Sequence, residues 1–418
     1  MKSLVVIPTY WGRSAGEPFN PDDTVYDHPT PLNEPGTLTR TLDSFTSLTI
    51  QDTEIVVIAV ATNPALEQAA EDKVTTIVKQ YGGRLPVCVL SHTFAATAKN
   101  VLTTAGYPES ADLVSLYGYS NVRNFCLVAG CIRQAEAVVL VDDDEVVEDP
   151  DYLAKAVEFI GTEQPGGKVT GVAGWYMRPD GGYLGPPTSD WWWMEWLGAE
   201  AMNDAFKSVI GNPPRLKITP FAFGGNMVIH RDLFEKVAFD PNVPRGEDID
   251  YVFNAKIFGH DFILDRELWI RHLPPVCHVP DWLGFRQNAV RFAYMKKKFD
   301  RQGPDRGLRT VTLEEMWPYP GRFLDTNLNE LIEKTSRLLA SRYESEQDNM
   351  GCDEAMRTID IVKKLTRDSR DPLAGYLKLA EAWSRLTEEL AADARLRDDM
   401  EMAFTCIDKG KGAVSDNR

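Results

Sequence analysis

The amino-acid sequence predicts an α/β fold whose central sheet is mainly parallel. Short apolar runs rich in β-branched residues recur through the first half of the chain and alternate with helical segments. The runs are continuously apolar rather than alternating, which is typical of strands buried on both faces of a sheet. Ligands of such sheets bind at the carboxyl ends of the strands, so the residues that follow each strand are the first candidates for a functional site.

Strand-like and helix-like segments alternate up to about residue 141. The predicted strands are Leu4–Ile7, Glu54–Val60, Pro86–Leu90 and Ala137–Val141. The predicted helices between them are Thr37–Leu48, Pro64–Tyr81 and Asn121–Gln134. A long segment rich in Pro, Gly and Asp, Trp11–Gly36, leaves the carboxyl end of the first strand. Loops of this length are usually functional or disordered, and this one is placed where it can form part of a site.

The rest of the chain divides into two parts of different character. After Val141, short strands alternate with loops rich in Gly, Pro and Trp, which indicates a second half added to the parallel sheet. Residues 301–418 instead predict a helical region with charged outer faces. Its amphipathic segments are Leu328–Arg342, Asp353–Leu365 and Pro372–Arg395. Because their apolar stripes need a partner surface, we consider a homo-oligomer formed through these helices.

Composition and charge exclude several classes of protein. The chain has 418 residues, of which 43% are hydrophobic and 26% charged, as in ordinary globular proteins. A net charge of −17 repels polyanions, so no nucleic-acid partner is expected. No apolar stretch is long enough to predict a transmembrane segment. The six cysteines show no CxxC spacing, which predicts reduced thiols in a cytoplasmic protein and neither a disulfide framework nor a zinc site.

The strongest single feature is an acidic run directly after the predicted strand Ala137–Val141. It consists of Asp142, Asp143, Asp144 and Glu145. Adjacent carboxylates repel one another, and a divalent cation such as Mn²⁺ or Mg²⁺ relieves that repulsion while also binding phosphate oxygens. If the run is extended, Asp142 and Asp144 share a face and Asp143 points away. The alternative is a solvated acidic turn.

A second candidate site lies at a predicted helix start. Gly224 and Gly225 allow a ligand to approach the backbone closely. Glu247 and Asp248 open a helix that continues to about residue 258, and acids at a helix N-terminus are also explained by simple capping. The functional interpretation makes Asp248 a general base that deprotonates a hydroxyl group, with Glu247 and Asp250 as rivals.

Two further segments carry groups that suit a metal or an anion. His272 follows a predicted strand, where its imidazole would complete a metal site beside carboxylates, although a lone histidine is more often structural. His278 is the competing histidine. The basic stretch 286–298 contains two arginines and three adjacent lysines, which would hold a diphosphate or else form a solvated helix face.

A tryptophan cluster lies between the acidic run and the helix start. It contains Trp191, Trp192, Trp193 and Trp196. Aromatic faces stack on sugar rings or on apolar groups, which predicts an acceptor-binding surface. A corner of the core or a contact between subunits explains the same cluster equally well.

Taken in order, these pieces resemble the GT-A glycosyltransferases of the large inverting family 2. The resemblance covers about residues 3–275, and although each motif is weak alone, all of them occur in the order of the family. The matching residues are Val5–Tyr10, Ser120–Asn124, Val141–Asp144, Gly224–Asn226 followed by Arg231, Gly246–Asp250, and His272.

The resemblance implies a role for each candidate residue in a metal-dependent transfer of a hexose from a nucleotide-diphosphate sugar to an acceptor hydroxyl. The nucleotide-sugar would be bound by Pro8, Thr9, Tyr10, Arg123, Asp142, Asp143, Gly224 and Gly225. The metal ligands would be Asp144 and His272, and the catalytic base Asp248. The acceptor would contact Trp191, Trp192, Trp193, Trp196 and Glu247.

The resemblance also implies a GT-A (nucleotide-diphospho-sugar transferase) fold. Its domain would span residues 1–300, with a nucleotide-sugar half at about 1–145 and an acceptor half at about 146–300. Family members carry an acid at the end of the second strand that binds the base, whereas this chain has Thr62 and Asn63 there, so UDP and GDP donors both stay open. The alternatives are a retaining GT-A enzyme, a sugar-phosphate nucleotidyltransferase and a catalytically silent sugar-nucleotide-binding protein. The acceptor itself, whether a sugar or a glycoside, is not named by any motif.

Overall fold

A computed structural model gives the fold, and it describes residues 1–18, 20–48, 53–186, 190–196, 198–275, 279–304, 308–325 and 327–406. The strands are β1 (Ser3–Gly12), β2 (Thr30–Pro31), β3 (Thr53–Ala61), β4 (Val87–Leu90), β5 (Ala137–Leu140), β6 (Glu145–Val146), β7 (Glu163–Gln164), β8 (Gly167–Lys168), β9 (Gly171–Met177), β10 (Leu216–Ile218), β11 (Met227–His230), β12 (Phe262–His272) and β13 (Thr405–Cys406). The helices of the first 300 residues are α1 (Leu38–Phe45), α2 (Glu67–Lys79), α3 (His92–Thr104), α4 (Pro108–Ala111), α5 (Tyr119–Ile132), α6 (Tyr152–Glu158), α7 (Trp191–Trp196), α8 (Gly198–Val209), α9 (Arg231–Phe234), α10 (Glu247–Ile257) and α11 (Asp281–Phe299). The later helices are α12 (Gly321–Leu324), α13 (Leu328–Ser345), α14 (Asn349–Arg367), α15 (Pro372–Ala392) and α16 (Ala394–Glu401).

One large sheet runs through the part of the chain that the structure describes, in the order β10-β12-β9-β11-β5-β1-β3-β4-β13. Strands β5, β1, β3 and β4 are parallel to one another, and β12 is parallel to β9. Antiparallel pairs occur where β11 joins the second half and at the β13 edge. The predicted α/β class with a mainly parallel sheet is therefore confirmed, and the antiparallel pairs belong mostly to the second half.

The apolar strands are buried on both faces, as their continuous apolar pattern predicts. Leu4 and Val6 of β1 pack into one hydrophobic layer of the core, whereas Val5 and Ile7 pack into the other. All four predicted strands and all three predicted helices of the first half are present, with small changes of boundary except in β1, which continues beyond the predicted Ile7 to Gly12. The helix α3 was not predicted, because its many Ala and Thr residues give a weak apolar pattern.

The C-terminal helices pack against the first 300 residues of the same chain. In α15 the indole Nε1 of Trp383 donates to the carbonyl oxygen of Phe234 at 2.7 Å. Tyr376 of the same helix donates from its hydroxyl to the carbonyl oxygen of Ala238 at 3.0 Å. The apolar stripes of this region are thus covered within one chain, at least in part. The boundary near residue 300 and the homo-oligomer both stay predictions.

The cysteine prediction is wrong for one pair. Cys88 of β4 and Cys406 of β13 form a disulfide across 318 residues of sequence. The prediction failed because sequence spacing cannot show that the C-terminal strand returns to the edge of the sheet. Cys126, Cys131 and Cys352 are free, and Cys277 lies outside the described residues. The cytoplasmic localisation stays a prediction, and the disulfide removes part of its basis.

In the described ranges, every helix is too short or too polar to cross a membrane.

We predict that Trp383 stabilises the fold by joining α15 to the rest of the core. Its side chain is fully buried, so Trp383→Ala should lower the free energy of unfolding by about 3–5 kcal/mol. Urea denaturation monitored by circular dichroism measures this change. The control Glu381→Ala, on the exposed face of α15, should stay within about 0.5 kcal/mol of the wild type. A Trp383→Ala protein as stable as the wild type would show that α15 is not part of the cooperative core.

Candidate functional site

A cavity of about 900 Å³ opens at the carboxyl ends of β1 and β5, where the parallel sheet predicts it. Most of the candidate residues line it, from both halves of the catalytic region. These residues are Tyr10, Arg123, Asp142, Asp143, Asp144, Trp193, Trp196, Gly224, Glu247, Asp248 and His272. Pro8, Thr9, Gly225, Trp191 and Trp192 are not among its lining residues. A second cavity of similar volume lies around the amino ends of β1, β3 and β4 and contains none of the candidates.

The acidic run does not stay extended after β5. The chain turns at Asp143 and Asp144, so the alternation expected for an extended segment is wrong and all three aspartates line the cavity. The carboxylate of Asp143 accepts a hydrogen bond of 2.6 Å from the Thr9 hydroxyl. Burial raises the pKa of Asp143 to about 8, and the neighbouring Asp144 acts in the same direction. Thr9 therefore acts by holding Asp143 rather than by facing the cavity.

Asp144 and His272 form a pair on one wall of the cavity. The His272 Nε2 atom lies 3.4 Å from Asp144 Oδ2, and the Leu273 amide donates to the Asp144 carbonyl at 3.0 Å. The His272 ring stacks on Tyr176 with centroids 4.6 Å apart. Burial alone would raise the pKa of Asp144, but the contact with His272, the charge of His28 and a backbone hydrogen bond together more than offset it, so the pKa is lowered. The two candidate metal ligands therefore lie side by side.

Arg123 is the buried cation beneath the acidic run. It lies in α5, is only 3% exposed, and contacts Asp142 at 2.8 Å and Glu247 at 3.2 Å. In the described part of the chain, its buried Nη1 atom has no hydrogen-bond partner. Gly224 allows this arrangement, because a Cβ there would lie 2.7 Å from Arg123 Nη2. One guanidinium thus links the acids of both halves and keeps one donor unused.

Glu247 and Asp248 begin α10 and face the cavity, as the sequence predicted. Oδ2 of Asp248 accepts from the Gly224 amide at 3.0 Å and Oδ1 from the Ile249 amide at 2.8 Å. Burial raises the pKa of Asp248, and it raises the pKa of Glu247 to about 7 although Arg123 opposes that change. Asp250 is different: it is buried against Lys298 at 2.7 Å and is not among the cavity residues.

Glu145 is a site residue that the functional assignments missed. It is fully buried, and its Oε2 accepts from the Asp142 amide at 3.0 Å. Burial and the nearby carboxylates raise its pKa well above the ordinary value. Gly225 lies directly over it, and a Cβ at that position would overlap the carboxylates of Glu145 and Asp142. The acidic run itself was the available signal.

The long segment after β1 forms part of the cavity wall. Asp27 and His28 line the cavity, which confirms that this loop contributes to it. Tyr26 packs its ring against Tyr10 with centroids 4.4 Å apart. The amide of Thr24 donates to the carbonyl oxygen of Thr62 at 2.8 Å. The loop therefore covers the end of β3, where the resemblance implies the base-binding residue.

The four tryptophans occupy three different environments. Trp193 lines the cavity, and Trp191 is 46% exposed on the surface. Trp192 and Trp196 are buried, and both pack edge-on against Phe285 of α11. Both therefore belong to the core, but Trp196 also lies at the cavity wall and Trp192 at the wall of an adjoining chamber.

The basic stretch is divided among several partners. Arg291 lines the cavity, and its Nη2 donates to the Tyr319 hydroxyl at 2.8 Å. Arg286 pairs with Glu354 at 2.6 Å, and Lys298 is buried between Asp240 and Asp250. Arg291 is thus the member of this stretch placed to act on a ligand. His278 lies outside the described residues.

The side chains at the acidic end of the cavity suit a divalent cation. A carboxylate and an imidazole face each other at Asp144 and His272; the carboxylate suits Mg²⁺ and Mn²⁺, and the imidazole suits divalent transition metals. Within the described ranges, the one set of three possible ligand atoms that already lies within 4.8 Å is Glu54, Cys88 and Cys406. Two members of that set are joined as a disulfide, so that set does not suit a metal.

Comparisons with known proteins find distant structural likenesses. No protein-family model matches the chain, and no curated protein matches its sequence. Among solved structures it is similar to the mannosyltransferase PcManGT from Pyrobaculum calidifontis in complex with GDP-Man and Mn²⁺, at 15% identity and a TM-score of 0.46, over 94% of this chain and 87% of that one. It is also similar to glucosyl-3-phosphoglycerate synthase from Mycobacterium tuberculosis, at 16% identity and a TM-score of 0.39, over 70% and 76%. A third likeness is to GalNAc-T7, at 15% identity and a TM-score of 0.37, over 82% and 58%. Likenesses at this level of identity and TM-score do not show an activity.

We predict that Glu247 makes the fold less stable as the pH rises through its titration range. The folded protein holds a proton on Glu247 up to about pH 7, whereas the unfolded chain loses it near the ordinary value of 4.5. Between these values the folded state binds more protons, so the free energy of unfolding falls with rising pH. In Glu247→Gln this contribution is absent, and the variant should gain stability relative to the wild type between about pH 5 and pH 8. Urea denaturation of both proteins at each pH measures it, and parallel pH profiles would contradict the prediction.

Proposed function

We propose that the chain is a metal-dependent glycosyltransferase that moves a hexose from a nucleotide-diphosphate sugar to an acceptor hydroxyl. One observation supports this most: the aspartates after β5 and Asp248 at the start of α10 line the same cavity from opposite halves. One end of the cavity thus suits a metal and phosphate groups, and the other carries a base. Arg123 and Arg291 lie within the same cavity.

The leaving group would be bound at the acidic end. A divalent cation held there by Asp144 and His272 would neutralise negative charge on the diphosphate. Arg123 has a buried donor without a partner, which suits a phosphate or ribose oxygen. Asp142, which Arg123 already holds, would contact the ribose or the diphosphate. Tyr10, Asp143 and the two glycines complete the proposed donor site.

Asp248 would act as the general base. Its two backbone hydrogen bonds fix the carboxylate, and its raised pKa brings it nearer to the range in which it accepts a proton efficiently. The acceptor hydroxyl would lose its proton to Asp248 as its oxygen bonds to the anomeric carbon. The bond from that carbon to the diphosphate oxygen would break at the same time, which inverts the anomeric configuration. Glu247 is tied to Arg123 and is the weaker candidate.

The acceptor would enter from the side of the second half. Trp193 lines both the main cavity and an adjoining chamber, which gives a sugar ring an aromatic face to stack on. Trp196 would also contact the acceptor, because it lines the same cavity wall. Glu247 would do so because it faces the cavity beside the base. Trp192 lines the adjoining chamber only, whereas Trp191 is exposed on the surface and lines neither.

We predict that transfer requires a divalent cation and Asp144. EDTA should abolish turnover and Mn²⁺ or Mg²⁺ should restore it, because the diphosphate leaves with a negative charge that needs neutralising. Asp144→Asn should lose turnover while keeping the circular dichroism spectrum of the wild type. Release of the nucleoside diphosphate, assayed against a panel of donors, measures turnover. Full activity in EDTA would contradict the metal assignment.

We predict that Asp248→Asn lowers transfer by roughly 10² or more while the donor dissociation constant changes little, because the substitution removes only the proton acceptor. Transfer rates and donor binding by calorimetry measure the two effects. Asp261→Asn is a matched control, because Asp261 follows the C-terminal end of α10, away from the cavity, and pairs with Lys256.

Two results would contradict this assignment. If Asp248→Asn keeps the wild-type rate and Glu247→Gln does not, the base is Glu247. If the product keeps the anomeric configuration of the donor, the enzyme is retaining and the direct displacement described above is wrong.

A further inference from the structure

His28 faces the candidate metal site from the loop between β1 and α1. It lines the same cavity as Asp144 and His272, although no sequence motif singled it out. The charges of Asp144 and His272 both act on its imidazole, which places the three groups within electrostatic range. The imidazole of His28 therefore offers a third possible metal ligand at the acidic end of the cavity.

The hydrogen bonding of the His28 ring differs from that of three other histidines in the structure. Its Nδ1 atom is buried and has no hydrogen-bond partner among the residues that the structure describes. By contrast, the Nδ1 atoms of His92, His230 and His260 each contact a neighbouring polar group, at 2.9, 3.1 and 3.0 Å. A buried polar atom without a partner costs free energy, so such an atom at the wall of a charged cavity indicates a ligand.

We propose that His28 is a third protein ligand of the divalent cation, beside Asp144 and His272, and that this makes the site prefer Mn²⁺ to Mg²⁺. The proposal rests on the metal site of the proposed function. The three ligand atoms do not yet all lie within 4.8 Å of one another, so the His28 side chain would move toward the other two when the cation binds.

The preference for Mn²⁺ follows from the chemistry of the ligands. Mg²⁺ takes oxygen ligands almost exclusively and keeps several of its waters, whereas imidazole nitrogen suits transition metals. A site with two imidazoles and one carboxylate therefore favours Mn²⁺. Removing one imidazole should weaken Mn²⁺ binding strongly and Mg²⁺ binding much less.

Metal binding by the full-length protein, without donor or acceptor, tests the proposal. The dissociation constant of Mn²⁺ is measured from the EPR signal of the free ion, and that of Mg²⁺ by competition with Mn²⁺. His28→Ala should weaken Mn²⁺ binding roughly tenfold or more, because even residues that only hydrogen-bond to a metal ligand change metal affinity by that factor. The same variant should lower the preference for Mn²⁺ over Mg²⁺. His260→Ala is the matched control, because His260 contacts Thr170 and is not among the cavity residues.

A spectroscopic count of nitrogen ligands separates direct binding from an indirect effect. Electron spin echo modulation of bound Mn²⁺ should show two imidazole nitrogens in the wild type and one in His28→Ala. A single nitrogen in the wild type would overturn the proposal, as would an unchanged Mn²⁺ dissociation constant or an equal loss of Mg²⁺ and Mn²⁺ affinity.

The variant Asp144→Asn distinguishes this inference from the proposed function. If Asp144→Asn weakens Mn²⁺ binding and His28→Ala does not, only the role of His28 is wrong. If neither variant changes Mn²⁺ binding, the metal site itself lies elsewhere, and the proposed function loses its metal as well.

Discussion

The burial of three acids in a run of four after β5 is the constraint around which the site is built. Asp143, Asp144 and Glu145 are all buried, and Asp142 is held against the buried Arg123. Like charges removed from water repel strongly, and the cost appears in the raised pKa values of Asp143 and Glu145. A fold that merely needed a turn at this position would not retain such a charge cluster. The cluster is explained if a cation and its anionic ligand complete it.

The rest of the fold positions groups that balance this charge. Pairing of β1 with β5 brings Thr9 under Asp143, where its hydroxyl donates to the carboxylate. Helix α5 places Arg123 between the two halves of the site, and Gly224 leaves room for it. Each compensating group comes from a different element, so the site depends on the whole sheet being assembled. That dependence explains why residues outside the cavity, such as Thr9, matter to it.

The sequence predicts the part of this arrangement that is local. Runs such as Val138–Val141 show the period and composition of buried parallel strands, and an acid pair after Gly246 is a local helix-start signal. Distant pairings leave no such trace. Three placements join segments that are far apart in the sequence: His28 at the cavity beside Asp144, β13 paired with β4, and α15 in contact with Phe234. Composition can show that such segments exist, but only the packed structure shows where they meet.

Helix α10 illustrates how little separation is needed for acids to differ in role. Asp248 and Asp250 are two residues apart, and successive helical positions turn by about 100°, so their side chains point in different directions. Asp248 lies at the cavity and accepts hydrogen bonds from two backbone amides, and within the described ranges its carboxylate makes no salt bridge. Asp250 instead turns inward, where Lys298 satisfies it. An aspartate already paired with a buried lysine is a poor proton acceptor, whereas one held only by amides can still take a proton. The position of each side chain on the helix, rather than its residue type, therefore makes Asp248 the candidate base.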